Sequence, residues 1–354
     1  MIYRENGQFK STYRADLQML PMLQDRVFMA LFVAFAFLAV PFLASDYLFL
    51  SLLIPFLILT LAAIGLNLLV GYCGQISIGH AAFMAVGAYA AYNLVLRVPW
   101  LNFLVVLVLA GFIAAAAGML FGIPSLRIKG LYLAVATLAA QFFTDWLFAR
   151  VKWFTDYSHS GSVSTAPLEL FGWRVDTPVE KYLFLLGVLV VFTVLAKNLT
   201  RGHIGRAWMA TRDMDVAAEV IGIRPIYAKL TAFGVSAFFC GVAGALWGFV
   251  HLGSWEPLAF NLTLSLNLLF MIIIGGMGSI LGAYYGAAFI VVLPILLNQV
   301  PQWLGVPVST ATASHLEFMI FGALIVLFLI LEPHGLARLW AVGKEKLRLW
   351  PFPH

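Results

Sequence analysis

Residues 48–70 read LFLSLLIPFLILTLAAIGLNLLV, without a single Asp, Glu, Lys or Arg, and residues 71–80 then read GYCGQISIGH. A bilayer's hydrocarbon layer is about 30 Å thick and a helix rises about 1.5 Å per residue, so about 20 apolar residues cross it. The first stretch is long enough to cross; the second interrupts it with glycine and polar groups. Outward from this run, the same apolar pattern recurs at roughly 27–45, 76–96, 101–123, 131–149, 182–199, 228–251, 262–276, 280–299 and 315–332. With 48–70 this predicts about ten transmembrane helices. The third and ninth contain glycine and polar breaks and are expected to be half-helices or tilted. Of 354 residues, 62% are hydrophobic and 10% charged, against about 45–50% apolar and about 25% charged in soluble domains. A soluble core cannot absorb that surplus. The expected fold class is all-α: a polytopic integral membrane helical bundle.

Lysine and arginine set the orientation, because cytoplasmic loops retain positive charge. With both termini cytoplasmic, only Arg97, Arg150, Lys152, Arg174 and Lys181 of the 21 basic residues fall on the outer side. The chain then divides into a cytoplasmic tail at 1–26, a transmembrane domain at 27–332 and a basic cytoplasmic tail at 333–354. Within the domain, an outer loop covers 150–181 and a charged inner loop covers 200–227. The polar leader and the length of the apolar run after Arg26 favour an uncleaved first helix over a signal peptide. The net charge of +5 follows from this distribution, so a lipid bilayer and no nucleic acid is the expected partner. Cys73 and Cys240 lie far apart in apolar segments, which fits neither a disulfide framework nor a metal site.

Four constellations carry functional information. Glycine-rich polar backbone at membrane depth is tolerated only where protein or a water-filled cavity satisfies it, and broken helices often line a transporter's path. Gln75, Ser77, Gly79 and His80 are therefore possible substrate-path residues, with a helix starting near Gln75. The other reading is a helix cap with tight packing and a satisfied buried His80. Next, Gly278-x-x-x-Gly282-x-x-x-Gly286 and Gly244-x-x-x-Gly248 place small residues on stripes, and Gly118-x-x-x-Gly122 repeats the device. Such stripes let helices approach closely where lipid supplies no hydrophobic drive. Third, within Gly205–Gly222, Ala207, Ala210, Thr211, Met214, Ala217, Ala218 and Ile221 recur at helical spacing, with Arg212, Asp215 and Glu219 opposite. This predicts one amphipathic surface helix closed by Gly222 and Pro225. It either lies in the headgroup layer or docks a partner, and its alanines and mixed charges favour docking. Last, Asn67, Gln141, Asp145 and Asn267 are polar groups expected to face the bundle interior, with Gln141 and Asp145 neighbours on one helix face.

Absences narrow the function. The sequence has no phosphate-loop motif, because Gly343-Lys344 is followed by Glu345 in the tail. It has no Cys/His cluster with metal spacing and no nucleophile motif. No catalytic residue, metal or cofactor is expected, and energy from ATP would have to come from another polypeptide.

Together, Gly71-Tyr-Cys-Gly-Gln-Ile-Ser-Ile-Gly-His-Ala-Ala-Phe, Leu126-Arg-Ile-Lys-Gly-Leu-Tyr-Leu-Ala, Gly205-Arg-Ala … Arg212-Asp … Ala217-Ala-Glu … Gly222 and Ile274-Gly-Gly-Met-Gly-Ser-Ile-Leu-Gly resemble the high-affinity branched-chain amino acid permeases of the LivM type. They occur in the family's order from about residue 50 to 335. The resemblance implies a permease subunit of an ATP-binding cassette importer in the bacterial inner membrane. It implies a second homologous permease subunit, two ATP-binding subunits and a periplasmic substrate-binding protein as partners. It also implies that the inner-loop helix docks on the ATPase, with Arg206, Arg212, Asp213, Ala218, Glu219 and Gly222 matching the family pattern. The outer loop departs from that pattern at Thr155-Asp-Tyr-Ser-His-Ser-Gly-Ser162. This leaves urea, amides or other small carboxylates as alternatives to branched-chain amino acids. An ion-coupled secondary carrier and a non-transport membrane scaffold are the rivals from other classes; the sequence lacks the paired buried carboxylates expected of the former.

Overall fold

The computed structural model describes residues 11–12, 23–125, 130–158, 161–165, 168–170, 172–303 and 335–349, together with scattered positions between 316 and 330. Helix α1 (Leu23–Leu38) leads through a short turn at Val40–Leu43 into α2, which runs from Asp46 to Tyr72 with π-helical turns at Phe49–Leu53 and Leu68–Tyr72. There follow α3 (His80–Arg97), α4 (Phe103–Ser125), α5 (Leu131–Arg150) and α6 (Pro178–Arg201). Two short helices, α7 (His203–Asp213) and α8 (Asp215–Val220), precede α9, which spans Pro225–Leu252 and ends in a π turn at Trp247–Leu252. The remainder is α10 (Leu262–Gly275), α11 (Ile280–Trp303) and α12 (Gly335–Leu349).

Among the described residues, eight helices are long and apolar enough to cross a membrane: α1, α2, α4, α5, α6, α9, α10 with the turn before it, and α11. The protein is a multi-pass, all-α membrane bundle. Helix α3 occupies the third candidate span but carries His80, Asn93 and Arg97, which lower its hydropathy. Its start confirms the break, since residues 74–79 are non-helical. The expected break in the ninth candidate is not there. Helix α11 continues from Ile280 to Trp303, because its glycines pack against α10 instead of interrupting the helix. The tenth candidate, 315–332, lies mostly outside the described residues.

Helix α9 is the central column, packed by α2, α3 and α4. Most of its apolar window is enclosed, 83%, against 6% for α1, whose Phe28, Phe32 and Leu38 face outward. Small residues make this closeness possible: a side chain at Gly244 would run into the Met84 carbonyl of α3, and one at Gly118 into Ala237 of α9. Gly282 and Gly286 seat α11 on α10 at Gly275 and Met271. Gly248 lies under the Trp255 indole, whose nearest atom is 2.8 Å from where a Gly248 Cβ would stand. Gly278 departs from the predicted stripe. It lies in the turn before α11 at φ +76° and packs on Gly71.

The segment 150–181, the expected outer loop, takes part in two short antiparallel ladders. Strand β1 (Val163–Ser164) pairs with β4 (Ser254–Trp255), and β2 (Glu169–Leu170) pairs with β3 (Trp173–Arg174). At the other end, Lys344 of α12 meets Asp25 of α1 at 3.1 Å, so the two terminal segments share one end of the bundle. The tails at 1–26 and 333–354 are otherwise described only in part.

Candidate functional site

The break after α2 is closed by protein on nearly every side. Ser77 and His80 are both 1% exposed. Ser77 Oγ meets His80 Nδ1 at 2.8 Å, His80 Nε2 meets Ser236 Oγ at 2.8 Å, and Ser236 Oγ donates to the Gly65 carbonyl at 2.6 Å. The two residues come together as predicted, but as the segment enters α3, which starts at His80 and not near Gln75. The α3 N-terminus is not open to an anion. Its backbone donors are taken by Ser265 Oγ (from Ala81, 2.8 Å) and Gln141 Oε1 (from Ala82, 2.7 Å), while Thr137 Oγ1 accepts from Ile78. Gly79 sits on the Thr137 carbonyl of α5 with no room for a Cβ. Ser77, Gly79 and His80 therefore form a satisfied packing unit in this conformation, and only Gln75, half-buried, reaches toward the surface.

Gln141 is the hub of this unit. It is fully buried, accepts from Ala82 and Ser265, and donates to the Phe260 carbonyl at 2.8 Å and to Asp145 at 3.0 Å. Its pairing with Asp145 was legible from their spacing; its contacts with α3 and α10 were not. Ser236, Ser265 and Thr137 were missed, and the only available signal was a small hydroxyl inside an otherwise apolar helix.

At the end of the bundle that carries α7, the expected inner end, the two turns after α2 and α10 meet. Asn67 Nδ2 donates to the Ser279 carbonyl at 2.7 Å, and Asn67 Oδ1 accepts from Gly278 N at 2.8 Å. One side chain thus clamps the turn that opens α11, at the start of the π turn that ends α2. Gly71 lies against both Asn67 and Gly278, leaving no space for a side chain. Into this junction comes Arg212, from the last turn of α7. Its Nη1 donates to the Gly71 carbonyl at 2.8 Å, its stem covers Gly74, and its Nη1 lies 3.4 Å from where a Gly278 Cβ would stand. The similarity of Gly71-x-x-Gly74-Gln75-Ile76 to Gly275-x-x-Gly278-Ser279-Ile280 thus corresponds to two turns meeting under one guanidinium.

The inner loop is a helix pair, which corrects the single predicted helix. Met214, with φ −161° and ψ 101°, breaks it between α7 and α8. Trp208, fully buried, anchors α7 by donating from Nε1 to Thr231 Oγ1 of α9 at 3.1 Å. Helix α8 is more exposed: Val216 is 67% and Val220 84% exposed, and Glu219 also faces out. Gly222 takes φ +89°, as its predicted C′ position requires. Pro225 opens α9.

A family profile described as "Branched-chain amino acid transport system / permease component" matches residues 48–329. The chain belongs to that permease family. It is 31% identical over 306 residues to the high-affinity branched-chain amino acid transport system permease protein LivM of Salmonella typhimurium, covering 79% of this chain and 68% of the relative. LivM of Escherichia coli K12 matches equally, at 31% over the same length and shares. The autoinducer 2 import system permease protein LsrC of Photorhabdus luminescens is 26% identical over 229 residues, 63% of this chain and 64% of the relative. No solved structure gives a significant match.

The permease's loop residues fall into two groups. Arg206, Asp213, Glu219 and Gly222 are exposed and Arg212 is partly so, its other side held in the junction. Ala218 is 2% exposed, so it lies beneath the exposed surface of α8. Bulky apolar residues outside the predicted docking set, Ile204, Met214, Val220, Ile221 and Tyr227, are exposed around it.

Proposed function

We propose that this permease is the membrane-spanning subunit of an ATP-driven importer for branched-chain or related amino acids, working by alternating access in a bacterial inner membrane. It pairs with a second, homologous permease and two ATP-binding subunits, and receives substrate from a periplasmic binding protein. Helices α7 and α8 dock on an ATP-binding subunit through their exposed residues, Glu219 among them. The observation that carries the reading is Arg212, which joins the exposed helix pair directly to the turn that breaks α2. A displacement of α7 pulls on Gly71, and through Asn67 and Gly278 on the start of α11. Chains similar to this one include permeases named for branched-chain amino acids and for autoinducer 2, so the small solute carried is the finer part of the proposal.

The test is leucine uptake by proteoliposomes that contain the permease with the second permease and the two ATP-binding subunits, supplied with binding protein, with Glu219→Lys alongside wild type. ATP-dependent uptake by wild type, lost in Glu219→Lys while folding and insertion persist, is expected. Uptake driven by an ion gradient without the ATP-binding subunits, or normal uptake by Glu219→Lys, would overturn the reading. Ala218→Arg is unsuitable, because it forces a charge into the permease's own packing.

A further inference from the structure

At the end of the bundle remote from α7, three buried side-chain atoms among the described residues have no hydrogen-bond partner: Tyr89 Oη, Asn93 Oδ1 and Trp255 Nε1. Tyr89 and Asn93 are one turn apart on α3, and the Tyr89 and Trp255 rings lie 6.3 Å apart, so all three belong to one cluster. Their side chains are at least nine-tenths buried: Tyr89 is 0%, Trp255 3% and Asn93 7% exposed. The Asn93 amide cannot be turned to remove the problem. Its Nδ2 donates to the Tyr89 carbonyl at 2.9 Å and to the Phe154 carbonyl at 3.1 Å, which fixes the orphan as an acceptor oxygen. The walls are aromatic: Phe148 stacks on Tyr89 at 4.3 Å, and Phe249 lies 5.8 Å from Trp255.

A buried polar group without a partner carries its full desolvation cost, and native proteins hold few of them. Three in one cage, each chemically distinct, call for a state in which they are paired. Trp255 stands on a structure able to supply that state. It rides on β4, which is tied to the outer loop by the short ladder to β1 and by Thr165, whose N and Oγ1 both donate to the Gly253 carbonyl at 2.9 Å. Separation of β1 from β4 would free the loop that seats the indole over the cage.

We propose that this cage is the outer station of the transport path and holds the charged head of a zwitterionic amino acid when β1 and β4 part. Trp255 Nε1–H and the Tyr89 hydroxyl donate to the carboxylate, Asn93 Oδ1 accepts from the ammonium, and the aromatic walls receive the apolar side chain. The proposal rests on the importer reading above and deepens it by naming the groups that hold the substrate.

The experiment measures the initial rate of leucine uptake at saturating leucine-loaded binding protein, with the complete complex in proteoliposomes. Tyr89→Phe and Trp255→3-benzothienylalanine each remove one orphan donor and keep the ring shape. A merely structural role predicts unchanged transport, since each change deletes an unpaired group. The cage predicts at least a tenfold fall in uptake rate, with complex assembly intact and the unfolding midpoint unchanged or raised. Uptake within twofold of wild type in both variants overturns the cage. So does a fall in uptake accompanied by a lowered midpoint in both. If wild type itself moves no leucine with ATP and its partners, the amino-acid part of the importer reading fails and takes the cage with it. If wild type transports and both variants match it, the cage alone fails.

Discussion

The two ends of the α2–α3 hairpin treat their buried polar groups in opposite ways. At the inner end, Asn67 uses both its donor and its acceptor on one turn, Arg212 reaches the Gly71 carbonyl, and the Ser77–His80–Ser236–Gly65 chain passes hydrogen bonds between helices without a gap. At the outer end, Tyr89, Asn93 and Trp255 each leave a buried atom unpaired. A fully paired network in a low-dielectric interior is stiff, because any displacement breaks several bonds at once. Unpaired groups impose no such resistance and favour the state that satisfies them. On the proposed reading, the inner end transmits a displacement and the outer end rearranges under one.

The contrast breaks most readily at Gly71. Gly71→Leu drives a side chain into Asn67 and the Gly278 backbone, and overpacking of this kind costs about 3 kcal/mol or more. The expected outcome is loss of folded, monodisperse protein on detergent size-exclusion chromatography. Asn67→Leu is next. It strands the Gly278 N–H and the Ser279 carbonyl, at about 1–3 kcal/mol for each orphaned group, and should lower the thermal unfolding midpoint sharply. Arg212→Met keeps the stem over Gly74 and removes the bond to Gly71. Because the side chain is 38% exposed, only about 1 kcal/mol of stability is at stake. Its diagnostic is coupling: ATP hydrolysis by the reconstituted complex persists while leucine moved per ATP falls at least tenfold. Tyr89→Phe should have the smallest effect on stability and the opposite sign, from none to a gain of about 1 kcal/mol, because it removes an unpaired hydroxyl. A midpoint lowered by Tyr89→Phe as much as by Asn67→Leu would erase the distinction between the two ends.

Much of the fold was readable because the strongest constraint on it acts locally. A stretch such as 48–70 must cross lipid as a helix, since nothing in hydrocarbon pairs with an open backbone. The segment boundaries of α4, α5, α9 and α10 accordingly fall within a few residues of the apolar runs. Errors arose where a residue's meaning depended on what stood opposite it. Gly278 looked like a rung of the Gly282–Gly286 stripe, yet it serves a turn against Gly71. Ala218 is only a match to the docking pattern, and its burial within the chain was not legible from that match.

Apolar length, charge placement and motif order alone determined that this chain is a multi-pass helical permease of its family, and that a charged segment interrupts its spans. Those properties follow from solvation of the chain residue by residue. Tertiary structure alone decided that α7 is wired to the α2 break through Arg212, that His80 is satisfied, and that three orphaned polar atoms gather beside Trp255. Hydrogen-bond satisfaction is a property of pairs, and partners such as Asn67 and Ser279 stand 212 positions apart along the chain.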